Sequence, residues 1–92
     1  MKSEQAELVG LQALGWLAAQ DEIWPVFLGA TGAAAEDARN RAHDPAFLSS
    51  VLEFLTSDDA MVMAFCDTVS LKYEDPLKAR YSLPGAERVE WT

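Results

Sequence analysis

Along most of this chain the apolar residues recur at the spacing of an α-helix. In the segment that opens at Pro45, Phe47, Leu48, Val51, Leu52 and Leu55 fall on one side. Ser49, Ser50, Glu53 and Thr56 take the other, which predicts an amphipathic helix with one buried stripe. The segment from Asp58 repeats the arrangement with Met61, Val62, Phe65, Cys66 and Val69. The first segment, from Glu4 to Gln20, is apolar around more of its circumference, and such a helix is expected in the middle of a bundle. Gly10 and Gly15 within it each cost about 1 kcal/mol against alanine. They make sense if another helix crosses nearby. Period-two alternation is confined to Arg88-Val89-Glu90-Trp91 at the end of the chain.

Start and stop signals divide the helical pattern. Asp44-Pro45 and Asp75-Pro76 each offer a capping carboxylate followed by proline at the first helical position, where its missing N–H is no loss. Ser57-Asp58-Asp59 and Asp21-Glu22 place acceptors and negative charge at two further starts. Pro25 falls in the first turn of its helix. Gly32 is placed to end one helix, and Leu83-Pro84-Gly85 to stop the last.

Sliding the chain against itself by 38 residues superimposes Leu14 on Leu52, Leu17 on Leu55, Asp21 on Asp59, Phe27 on Phe65, Glu36 on Glu74 and Asp37 on Asp75. Breaks align as well as stripes. The pattern predicts an all-α fold, a compact bundle of five or six helices. It would be built from two tandem helical-hairpin units, 5–44 and 45–85, followed by a tail, 86–92. In a duplication, Leu14 and Leu17 should face Leu52 and Leu55 across a pseudo-two-fold axis, because like stripes bury each other most fully that way.

With 92 residues, of which half are apolar and 24% charged, the chain is one ordinary globular domain. Its formal charge of −8 argues against nucleic acid or an anionic membrane as partner. No stretch is long and apolar enough to span a bilayer, and Met1-Lys2-Ser3-Glu4 carries acid where a secretory signal carries base. A cytoplasmic location is expected.

Leu14-Gly15-Trp16-Leu17-Ala18, Phe27-Leu28 with Thr31-Gly32, and Arg39-Asn40-Arg41-Ala42 resemble a family of small alphaproteobacterial proteins known only as domain of unknown function 3572. So do Asp44-Pro45-Ala46-Phe47-Leu48, Val51-Leu52-Glu53-Phe54-Leu55 and Leu83-Pro84-Gly85. The resemblance covers roughly residues 5 to 85. It implies a bacterial cytoplasmic protein and carries no assigned activity.

The chemistry-bearing residues are few. His43 is the single histidine and Cys66 the single cysteine. His43, before a helix cap, reads as exposed. Cys66, on an apolar stripe beside Asp67, reads as a buried and inert thiol with a raised pKa. The acidic doublets fall at helix starts, where carboxylates satisfy unpaired N–H groups. Arg39/Arg41 and Lys78/Arg80 fall late in short helices, where cations suit the dipole. Trp16 reads as core. Trp24 and Met63 are the candidate interaction residues: they could edge an apolar groove between the units that takes a partner helix, or they could fill the seam.

No catalytic, cofactor or metal motif is present, so neither catalysis nor a cofactor is expected. These features predict a non-enzymatic protein-interaction module, with a homodimer as one form of it. The alternative is an acidic decoy or docking protein presenting carboxylates to a basic partner. An enzyme is the third reading and would need His43 in a cleft with Glu36, Asp37 or Glu53.

Overall fold

Six helices run through residues 1–83, the residues that the computed structural model describes. They are α1 (Ser3–Ala18), α2 (Trp24–Thr31), α3 (Ala35–Asn40), α4 (Pro45–Thr56), α5 (Asp59–Val69) and α6 (Asp75–Tyr81). Among the described residues there is no strand. Pro84, Gly85 and the alternating Arg88–Trp91 segment lie outside them. At two starts the side chains act as the sequence predicts. The Asp44 carboxylate accepts the Ala46 N–H at 3.0 Å, and that of Asp58 accepts the Ala60 and Met61 N–H groups at 2.8 and 3.4 Å. Pro25 and Pro45 sit in first turns, and Gly32 closes α2 at φ 72°.

Two expected caps differ. Asp21-Glu22 does not cap α2; those residues lie in a turn, and Ile23 precedes the helix without a side-chain bond. A cap needs extended backbone that aims the carboxylate at the next turn, whereas Ile23 is already helical at φ −88°, ψ −36°. Asp75 is the first residue of α6, so its carboxylate turns back and accepts the Lys72 N–H at 3.1 Å.

α1, α4 and α6 form the centre and pack most extensively on one another, with α5 against α4 and α1, and α2 against α1. Leu14, Leu17, Phe47, Val51, Leu52, Leu55 and Phe65 are all buried, as their stripes predict. Phe27 gathers the aromatic residues around it: Trp24 stacks on it at 5.4 Å, and the rings of Phe47 and Phe54 meet it edge-on at 6.2 and 5.3 Å. Trp16 is half-buried instead of core, its ring edge-on to Phe65 at 6.0 Å. Ser49, expected on the polar side of α4, is buried, and α6 packs on α4 extensively.

The glycines of α1 split. A Cβ at Gly10 would stand 2.9 Å from Leu48 Cβ, so α4 crosses α1 there, as its lack of a side chain suggests. A Cβ at Gly15 would meet nothing within 4 Å, so no helix among the described residues accounts for it.

The 38-residue repeat is not confirmed. Local marks keep register: α1 and α4 end at Ala18 and Thr56, and α2 and α5 at Thr31 and Val69. Gly32 and Ser70 both take left-handed backbone (φ 72° and 61°). Asp37 and Asp75 each accept the N–H three residues back. The packing breaks the symmetry at the third helix. α6 inserts against both α1 and α4, with Pro76 and Ala79 buried, while α3 buries only Ala38 and makes no comparable contact with either.

Candidate functional site

α1 turns one side to the core through Ala6, Val9, Gly10, Ala13, Leu14 and Leu17. The opposite side carries Leu8, Leu11, Gly15 and Ala18 at i, i+3, i+7 and i+10, and all four are exposed, Leu8 at 57% and Leu11 at 40%. That is the spacing of a coiled-coil seam. From Leu8 to Gln20 the helix has no charged residue. α1 does lie at the centre of the bundle, as its wide apolar circumference predicts, but its second apolar side has no helix packed on it among the described residues.

This side opens onto a concavity of about 510 Å³ between α1, α2 and α3. Leu11, Leu14, Gly15 and Ala18 form its α1 wall, Trp24 closes one end, and Ala35, Ala38, Ala42 and Arg39 form the α3 wall. The concavity exists because α3 stands away from α1, where its counterpart α6 packs down against the core. Trp24, half-buried and held by its stack on Phe27, is thus positioned on a recess inside the first half of the chain. Met63, 47% exposed on α5, is not among the residues lining that recess.

The second recess, about 380 Å³, is more polar. Phe47 and Phe54 line it with Thr31, Ser50, Ser57, Glu53 and Arg41, and the Arg41 guanidinium lies 4.6 Å above the Phe47 ring. His43 lies outside it, exposed in the turn before Asp44, and Glu36 and Asp37 are exposed on α3 and not part of it. The grouping that proton transfer would require is not assembled. Among the described residues no group of three or more His, Cys, Asp and Glu side chains is placed to hold a metal ion.

Cys66 is buried and its thiol donates a hydrogen bond to the Lys72 carbonyl at 3.4 Å. Burial, then the negative charges of Asp75 and Asp67, push its pKa up. Nucleophilic thiols need the opposite surroundings. The Tyr73 hydroxyl donates to Asp67 at 2.8 Å, and that bond raises the Tyr73 pKa. Asp37, Asp44, Asp58 and Asp75 each accept a backbone N–H near their own helix start.

Leu8, Leu11 and Ala18 are not singled out by the sequence, which marks Gly15 only as a helix crossing and Arg39 only as a helix-end cation. The signal that could have found them was the run without charge from Leu8 to Gln20. A core contact explains one side of such a helix and leaves the other unexplained.

A protein-family model described as "Protein of unknown function (DUF3572)" matches residues 3–86. No curated protein and no solved structure matches the chain. Among the described residues no helix is long and apolar enough to cross a membrane.

Proposed function

We propose that this chain, which belongs to the DUF3572 family of proteins of unknown function, is a non-enzymatic protein-interaction module of the bacterial cytosol. It binds its partner through the outer side of α1 and the concavity beside it. One observation carries this reading. A helix with no charge from Leu8 to Gln20 keeps Leu8 and Leu11 in water along a seam-like row, in a protein whose charged residues could have occupied those positions at no cost to the core. Exposed single leucines are ordinary, but a contiguous row leading into an apolar recess marks a contact surface. Trp24 adds a rigid aromatic wall of the kind that anchors interfaces.

The acidic-decoy reading draws less support. Four of the carboxylates it would present already serve their own helix starts and turns.

Affinity capture from the native cell tests the proposal with wild type, Leu11→Glu, Ala18→Glu and Met63→Glu, each checked for folding by circular dichroism. Loss of the captured proteins with Leu11→Glu and Ala18→Glu is expected. Capture unchanged by both would refute the α1 surface, and loss with Met63→Glu alone would move the contact to α5.

A further inference from the structure

We infer that the partner of this face is a second copy of the same chain, docked antiparallel along α1. The inference deepens the interaction reading above and rests on it. The row is self-complementary in one direction only. Its first half carries two large residues, Leu8 and Leu11, and its second half two small ones, Gly15 and Ala18. A two-fold axis midway between Leu11 and Gly15 sets Leu11 against Gly15 of the other copy, and Leu8 against Ala18 of the other copy. Every large side chain then meets a small one, twice over. A parallel pairing would set leucine on leucine and leave a gap at the glycines.

Gly15 is the independent mark of a close approach. A glycine inside an exposed helix costs about 1 kcal/mol against alanine. Gly10 has its reason in Leu48, 2.9 Å away, but Gly15 has none among the described residues. A leucine from another molecule, entering the concavity at the α1 wall, supplies one.

The charges agree. Arg39 lines the concavity together with Leu11, Leu14, Gly15 and Ala18, and Glu7 precedes the row on α1. Neither is in an ion pair among the described residues. Antiparallel helices bring like-named flanks together, so Glu7 of each copy approaches the wall that Arg39 forms on the other. The seam itself is free of charge, as two chains of net charge −8 require of a common surface.

Size sets the strength. A helix of this length presents about 24 Å by roughly 10 Å, on the order of 240 Å² from each copy. The α2 and α3 walls about double that, which is still short of the ~800 Å² per partner of a stable complex. A contact of this size suits a weak, reversible dimer.

Light scattering and sedimentation on the full chain test this. The mass should rise from 10.1 kDa toward twice that value between roughly 10 μM and 1 mM, the span expected of a contact this small. Leu11→Glu should weaken association about tenfold or more while its helical circular dichroism stays unchanged. Mixing Leu8→Cys with Ala18→Cys chains and adding a short bismaleimide should yield mainly the mixed cross-linked pair, since like positions then lie about 15 Å apart along the axis and Cys66 is buried. A monomer at about 1 mM overturns the dimer, and cross-linking of like with like overturns the antiparallel register. If a monomeric wild type still loses its cellular captures with Leu11→Glu, the dimer fails and the module stands. If captures persist in both Leu11→Glu and Ala18→Glu while the wild type self-associates, the α1 surface fails as the site for other proteins and the dimer stands.

Discussion

Replacing Gly10 with alanine would set a methyl carbon 2.9 Å from Leu48 Cβ, well inside the about 3.5–4.0 Å at which carbon atoms rest. Neither atom can swing aside, because each is bonded directly to a helix backbone. Trimming Leu48 to alanine would not relieve the contact either, since Cβ stays in place. The two helices must separate by several tenths of an ångström where Val51, Leu52 and Leu17 are fully enclosed. Helix propensity works the other way and favours alanine by about 1 kcal/mol. A contact this far inside the resting distance puts the overpacking cost in the upper part of the usual range, about 2–3 kcal/mol, which after the propensity gain leaves a net loss of about 1–2 kcal/mol. For a domain of this size a loss of 1 kcal/mol lowers Tm by about 4–8 °C. Gly29→Ala is the control, because a Cβ there meets nothing within 4 Å; it should gain up to about 1 kcal/mol. Urea unfolding followed at 222 nm, with wild type and both variants side by side, reads the difference. If Gly10→Ala matches or exceeds the wild type, α1 and α4 do not cross at this distance.

Leu52→Ala should cost about 2–5 kcal/mol in the same assay, because the side chain is fully enclosed; a loss under about 1 kcal/mol would mean that the core relaxes around the gap. Asp58→Ala removes a carboxylate that accepts two N–H groups at the start of α5 and should cost about 0.5–2 kcal/mol, whereas Asp21→Ala, which removes no such bond, should be close to neutral. The raised pKa of Cys66, caused first by burial and then by Asp75 and Asp67, fixes a sign. The unfolded thiol ionises at about 8.5 while the folded one keeps its proton, so its contribution to stability is fully present below that pH and is lost above it. The drop in urea midpoint from about pH 8 to about pH 10 should be smaller in Cys66→Ala than in wild type, and an equal drop would count against the thiol as its source.

The amphipathic helices were the legible part. Phe47, Val51, Leu52 and Leu55 share a stripe whose period permits one buried side, and Asp44-Pro45 allows few structures other than a helix start. The short third helices were not legible in the same way. Asp37 and Asp75 make the same local bond, yet α6 enters the core and α3 stays outside it. That difference depends on which gap remains after the long helices pack, and no local pattern records it. The site was hidden for a related reason. An apolar residue is equally apolar whether it faces α4 or water, so Leu11 and Leu14 look alike in the sequence although they are respectively exposed and buried.

The position of α6 has a consequence for how this chain reaches its native state. The first helix and the last described one lie against each other, with α4 from the middle of the chain touching both. Closing that triangle brings together segments some seventy residues apart in sequence, a non-local arrangement for a helical protein and one that slows folding. A nascent chain leaves the ribosome amino terminus first, so α1 to α5 emerge before the element that seals their core exists. Until α6 is out, the sides of α1 and α4 that it packs against lack a cover, and whatever holds the unfinished chain must shield them from other chains. The core of this chain therefore closes only after α6 has been made.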